Sequence, residues 1–251
     1  MTVDQPQTHQ ENQLRELWKQ AFGDSDAFLD GFFATGFAPD RCRCITWNDR
    51  VAAALYWFDC LWDGRKLAYI YAVATLEDFQ GKGFCRKLME DTHSHLRELG
   101  YAGAVLVPGS RGLFDMYEKM GYRSFSPRLW QEITAGQEKA RIRSLTPQEY
   151  GEKRQSRLPA GGIGQDEVTL SYLATFAGFF EGEGCLFCGG GDEVFVFQEF
   201  FGAPEAVPGL LAALGAAAGR VPCPGEGPDH AMYYPLTDSE EIPGYFGLAL
   251  N

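Results

Sequence analysis

No stretch of the 251 residues approaches the ~20 consecutive apolar side chains that a membrane-spanning helix needs. The first twenty residues, MTVDQPQTHQENQLRELWKQ, also lack the apolar core of an export signal, so a cytoplasmic location without a membrane partner is expected. Basic side chains are in deficit: 22 Lys and Arg against 34 Asp and Glu leave a formal charge of −12 at pH 7. Broad phosphate surfaces are bound by neutralising them with Lys and Arg, so nucleic acid is not an expected partner. The same charge suits a cationic small molecule, although an acidic surface more often serves solubility. Cysteines number seven (Cys42, Cys44, Cys60, Cys85, Cys185, Cys188, Cys223), an odd count without an export signal, which points to free thiols rather than a disulfide framework. Cys185 and Cys188 have the spacing of half a zinc site, but no second pair stands at matching spacing and His230 would have to be recruited across a Gly/Pro loop; no metal is expected.

With 45% hydrophobic and 14% aromatic residues, the chain lies well above the composition of disordered proteins. Its length fits two small domains or one large one. Residues 11–36 have a helical period, with Leu14, Leu17, Trp18, Ala21 and Phe22 on one face and an aromatic stretch from Phe28 to Phe37. Strand-like runs follow at Cys42–Trp47, Val51–Cys60 and Leu67–Thr75, separated by the turn formers Asn48-Asp49 and Asp63-Gly64. From Gly83 the period becomes helical again until Gly100. Ala102–Val107 is read as a strand, Ser110–Met120 as a short helix and Tyr122–Ile133 as strand. Composition turns polar at Thr134–Lys139, which divides the chain into domains of residues 1–134 and 135–251. The second half is read as a helix at Thr146–Arg157, an aromatic helix at Glu167–Phe180, a strand at Glu193–Phe200, a helix at Val207–Ala218, a loop at Pro222–Pro228 and an apolar tail, Tyr245–Leu250.

Chemistry concentrates in Ile70–Met89. There a strand ends, a loop with Gly81 and Gly83 turns sharply and a long helix begins, so backbone N–H groups gather at the positive end of the helix dipole. That is an anion site suited to a pyrophosphate, and a side chain at Gly83 would hold the phosphate off the amides. The spacing is not that of a nucleotide P-loop, which needs four residues between glycines and a following Lys-Ser/Thr. Nor is it the dinucleotide fingerprint, whose third glycine is replaced by Arg86.

Gln80-Gly81-Lys82-Gly83-Phe84-Cys85 resembles the signature Gln/Arg-x-x-Gly-x-Gly/Ala of the GNAT superfamily of N-acetyltransferases, with Cys85 at the last small position. Tyr71–Thr75 is similar to that family's splayed strand, and Leu113–Tyr122 to its second motif, a helix with a tyrosine five residues ahead of an aromatic that follows glycine. The likeness extends over roughly residues 10–134. It implies an α+β fold with a central, mostly antiparallel sheet flanked by helices, and a second half that looks like the smaller, degenerate GNAT-like domain of tandem members. It further implies acetyl-CoA as co-substrate and an amine acceptor, a small molecule or peptide. By resemblance, Val73, Ala74, Thr75, Gln80, Gly81, Lys82, Gly83, Phe84 and Cys85 would bind acetyl-CoA, the N–H of Val73 or Thr75 holding the thioester carbonyl. The Tyr117 hydroxyl would protonate the departing sulfur; read without the motif, Tyr117 packs on a helix face with Phe114 and Tyr122.

No acid stands on Leu67–Thr75 to act as base. Glu77 and Asp78 fit helix-start electrostatics or solubility, Asp59 and the terminal carboxylate of Asn251 are further candidates, and His93 and His95 fit packing or surface roles better than a base. Phe176–Phe180, Glu181 and Glu183 are candidates to line an acceptor pocket, or plain core and loop. One CoA site per chain and a monomer or homodimer are expected. The competing reading is a non-catalytic acyl-CoA-binding or protein-interaction module.

Overall fold

The computed structural model describes residues 2–250. Gly23, at φ +76°, takes up the left-handed conformation that L side chains avoid, and it divides the long helical stretch into α1 (Glu11–Phe22) and α2 (Asp26–Thr35). Ser25 restarts the helix, its hydroxyl accepting from the Phe28 N–H. On α1, Leu14, Leu17 and Trp18 are buried at i, i+3 and i+4, and the Trp18 ring meets Phe32 of α2 at 4.7 Å between centroids.

A short strand, β1 (Val3–Asp4), pairs with β2 (Cys42–Trp47), which begins an antiparallel meander through β3 (Arg50–Trp62) and β4 (Arg65–Thr75). Asn48, Asp49 and Asp63 adopt positive φ in the tight turns between these strands, the conformation that Asn and Asp tolerate best after glycine. Helix α3 (Phe84–Glu98) crosses over to β5 (Gly103–Leu106), which lies parallel to β4, and α4 (Arg111–Glu118) leads into β6 (Arg123–Thr134). Ile45, Trp57, Ile70, Leu88, Leu96 and Leu106 share one core with Tyr117 and Tyr122.

The rest of the chain contains β7 (Arg143–Leu145), α5 (Pro147–Gln155), β8 (Gly164–Gln165), α6 (Glu167–Leu173), β9 (Gly178–Gly182), β10 (Cys185–Gly190), β11 (Val194–Phe201), α7 (Val207–Leu214) and β12 (Ala218–Pro235). Strands β9, β10 and β11 form an antiparallel meander, and α7 crosses over to β12, which starts parallel to β11. This is the order of β2, β3, β4, α3 and β5: three antiparallel strands, a helix, then a strand parallel to the third.

The chain forms two compact units. The first comprises the described residues up to Arg123 together with Met232–Glu241; the second comprises Ser124–Ala231 and the residues from Ile242 onwards. The first unit therefore takes back a later segment, because Met232–Pro235 of β12 pair antiparallel with Gly103–Leu106. No helix among the described residues is long and apolar enough to cross a membrane.

Two expectations for the second half fail, and one strand stands where none was expected. Helix α6 stops at Leu173, and Phe179 and Phe180 belong to β9, where pairing with β7 and β10 overrides an apolar run that suits either period. Cys185 and Cys188 lie in β10, a strand not expected there; three residues apart on a pleated strand they point to opposite faces. Pro222–Pro228 is part of β12, with Gly225 and Gly227 at positive φ.

In the second unit Glu199 is fully buried, and both of its oxygens are occupied. Arg154 donates from Nε to Oε2 at 2.6 Å and from Nη2 to Oε1 at 2.9 Å, Tyr150 Oη donates to Oε2 at 2.8 Å, and Tyr245 Oη donates to Oε1 at 3.0 Å. The cluster ties α5, β11 and the C-terminal segment together. Glu199→Leu strands the buried guanidinium and is expected to lower stability in urea denaturation by about 3–5 kcal/mol, with the double change Arg154→Met/Glu199→Leu recovering part of the loss.

Candidate active site

The site is built on β4. Its partner β3 holds it through Ala53↔Thr75, whereas its pairing with β5 runs only from Leu67↔Gly103 to Tyr69↔Val105. Beyond Tyr69 the edge toward β5 is released from the ladder, since β5 itself ends at Leu106. In the same stretch the β3 register shifts: Tyr56 faces Tyr71 but Ala54 faces Ala74, so Leu55 alone opposes Ala72 and Val73. Ala72 is at φ +48°. A bulge of this kind takes one residue out of the ladder and re-aims the backbone next to it.

After β4 the Leu76 N–H donates to Ala52 O at 2.9 Å and a single turn, Glu77–Phe79, leads to the glycines. Gln80 Nε2 donates to Thr75 O at 3.1 Å and Lys82 Nζ to Asp78 O at 2.7 Å, bracing the loop at both ends. Gly81 and Gly83 stand at φ +69° and +81°, and open space lies where a Cβ would project at each. Gly83 caps α3 with no side-chain acceptor, so the first-turn amides of Phe84, Cys85 and Arg86 keep their capacity for a ligand. The glycine conformation and the free amides together fit a diphosphate. Among the expected binding residues, Val73, Ala74, Thr75 and Gln80 line one cleft of about 570 Å³.

The Tyr117 ring on α4 is buried and packs edge-on against Tyr122 at 5.5 Å between centroids. Burial pushes its phenol well above the ordinary range, with Cys85 adding to the shift, so it carries its proton at neutral pH. The Cys85 side chain packs against the same core, as does Val73. A thiol in place of Gly or Ala is thus accommodated inward, and burial raises its pKa too. Lys82 and Phe84 occupy the loop and the first helical residue as expected.

Residues 2–125 match the family model described as an acetyltransferase (GNAT) domain. This segment is a GNAT domain. No curated protein matches the chain. Among solved structures it is similar to a GCN5-related N-acetyltransferase from Kribbella flavida (16% identity, 92% of this chain and 70% of the other, TM-score 0.70). A GCN5-related N-acetyltransferase from Anabaena variabilis gives 16% identity, 94% and 73% coverage and a TM-score of 0.71. A tandem GNAT protein from the clavulanic acid biosynthesis pathway gives 13% identity, 95% and 100% coverage and a TM-score of 0.56. At these identities the likeness is one of fold.

Asp59, His93 and His95, singled out from the GNAT domain's sequence, are committed elsewhere. Asp59 opposes Ala68, seven residues and about 23 Å of extended strand before Thr75, and it accepts from Tyr101 Oη at 2.5 Å and pairs with Lys66 at 3.1 Å. That corrects its reading as a base. His95 meets the Trp57 ring edge-on. His93 is buried, hydrogen-bonded through Nε2 to Tyr122 Oη at 2.8 Å and stacked on Tyr234 at 4.1 Å. Within the second unit Glu181 pairs with Arg143 and Lys153, Glu183 accepts from the Arg141 N–H, and Phe180 stacks on Phe187. Asn251 lies outside the described residues. Sequence reasoning missed the contribution of α1 to the cleft, namely Leu17, Gln20 and Phe22; the one signal was Phe22, an aromatic at the helix end that is 46% exposed.

Burial, followed by the nearby Arg97, lowers the His93 pKa to about 4. An unfolded histidine titrates near 6.5, so from about pH 6.5 down to 4 the unfolded chain binds a proton that the folded chain refuses. This contribution to stability is full above pH 6.5 and falls by about 3 kcal/mol as the pH drops through that window. His230 acts in the same direction, its pKa lowered to about 4 by burial and by Arg128. His93→Gln, which retains a partner for Tyr122, is expected to flatten the pH dependence of urea midpoints by one proton; an unchanged slope would show that His93 is not buried neutral.

Proposed function

We propose that the protein is an acetyltransferase that moves an acetyl group from acetyl-CoA directly to a primary amine of a small molecule or peptide. The observation that carries this reading is the continuity of three features in one unit: the released and bulged edge of β4, the glycine-capped amides of α3, and the protonated Tyr117 packed with Cys85. Acetyl-CoA would supply the acetyl group as an activated thioester. The amides of Phe84 and Cys85, with the Gly81 and Gly83 turns, would hold its pyrophosphate, and the β4 edge would pair with its pantetheine arm as an added strand. The Val73 or Thr75 N–H would polarise the thioester carbonyl. Tyr117 would give its proton to the sulfur as the C–S bond breaks and the C–N bond forms, recovering one from solvent.

The second unit is proposed to be a degenerate copy of the same fold, with one CoA site per chain. Its strand order repeats that of the first unit, but α7 is capped by Ala206 and carries a proline in its first turn. Pro208 lacks an N–H, so the turn offers a poorer set of donors than that at Gly83.

Tyr117→Phe is expected to cut kcat by about 10²-fold or more while calorimetric affinity for acetyl-CoA stays within about twofold. A variant as fast as the parent would remove Tyr117 from the mechanism, and a parent that binds acetyl-CoA but acetylates no amine would favour the non-catalytic module. Gly83→Glu places a carboxylate in the anion site and is expected to abolish acetyl-CoA binding by calorimetry; the backbone at φ +81° adds about 1–2 kcal/mol of strain, and the fold should persist in circular dichroism.

A further inference from the structure

The cleft beside the β4 bulge carries a single charged side chain. Its lining brings Leu17, Gln20 and Phe22 of α1 to Thr75, Glu77 and Gln80, and includes one carboxylate and no Lys, Arg or His. Glu77 enters no ion pair among the described residues, whereas Asp78 next to it lies 3.9 Å from Arg50. Phe22 is nearly half exposed, its ring edge-on to Trp18 at 5.7 Å. At about 570 Å³ the cleft has the volume of a small-molecule site, and its wall includes Val73 and Thr75.

From this we infer that the acceptor is a monoamine whose body is otherwise uncharged, its ammonium drawn to Glu77 and its apolar part set against Phe22. The inference rests on the acetyltransferase reading and narrows it. An acceptor with a carboxylate or phosphate beside its amine would bring a second negative charge to Glu77 with no cation to compensate, an uncompensated cost that discriminates against it. A polyamine or aminoglycoside would bring further ammonium groups for which the lining holds no further carboxylate. The two glutamine side chains suit neutral polar groups, so a carboxamide next to the amine is tolerated where a carboxylate is not. Glu77 opens the turn that follows Thr75 and lines the same cleft as Val73 and Thr75, so an amine held by it shares that cleft with the β4 edge. The bound ammonium first loses a proton to water; the neutral amine nitrogen then forms the C–N bond and releases its surplus proton to water, while the C–S bond breaks, the sulfur takes the Tyr117 proton and water restores it.

The test uses the full chain with acetyl-CoA and four acceptors: 2-phenylethylamine, phenylalanine, phenylalaninamide and spermidine. Acetylated amine is quantified by mass spectrometry, because seven cysteines would disturb a thiol reporter. The expected kcat/KM for 2-phenylethylamine and phenylalaninamide exceeds that for phenylalanine and spermidine at least about tenfold. Glu77→Gln, at an exposed position, is expected to raise the KM for 2-phenylethylamine about fivefold with kcat nearly unchanged, the effect of losing an exposed ion pair. Gln20→Lys, also at an exposed position, is expected to shift preference toward phenylalanine. Preference of the parent for phenylalanine or spermidine would overturn the inference and leave the acetyltransferase reading standing. An unchanged KM in Glu77→Gln would remove Glu77 from acceptor binding. Acetylation of none of the four by protein that binds acetyl-CoA would overturn the inference.

Discussion

Strand β4 pairs with β3 from Arg65 to Thr75, interrupted only at the Ala72–Val73 bulge, and with β5 only as far as Tyr69. Backbone amides and carbonyls of a buried strand need partners, so an edge released in mid-strand is either a defect or a place for a ligand to pair. Here the release coincides with the Ala72–Val73 bulge, and within a few residues it reaches the glycine turn and the uncapped amides of α3. The extended edge and the helix terminus are contiguous because Gln80 and Lys82 brace the loop between them against Thr75 and Asp78. Loss of the β3–β4 register would misplace the bulge, the loop and the helix start together.

The two units spend their polar groups differently. In the first, Tyr117 and Cys85 sit in the core beside open backbone donors, with their protons held by burial. In the second, the buried charge of Glu199 is answered by Arg154 and two tyrosine hydroxyls, a fully satisfied cluster that fixes one arrangement of α5, β11 and the C-terminal segment. A network of this kind contributes more to uniqueness than to net stability, since its desolvation offsets much of its attraction. The strand order is shared, while the turn chemistry at the helix start differs: two glycines at positive φ in one, a proline in the other.

Much of the first unit was legible because its signals are local. Asn48-Asp49 and Asp63-Gly64 mark turns by their own conformational tolerance, and β2 occupies the residues expected of it. Gly81 and Gly83 announce a conformation that few other residues adopt, and α3 follows within a residue of its expected start. In the second unit, Phe176–Phe180 and Cys185–Cys188 carry apolar patterns without a decisive period, and pairing among β7, β9, β10 and β11 assigned them to strands or turns. Asp59 shows the same dependence: its place at a strand end suggested reactivity, but Tyr101, 42 residues away in sequence, and Lys66 claim it.

The sequence by itself determined the mixed fold class, the glycine turn at Gln80–Cys85 that opens α3 and the helix that carries Tyr117, since each follows from turn chemistry, helix period or a motif within a short span. The tertiary structure alone decided where β4 parts from β5, how Ala72 bulges, which way Cys85 packs, and that α1 supplies one wall of a cleft with a single carboxylate. Those are outcomes of register and of packing between segments tens of residues apart, and no local propensity encodes them.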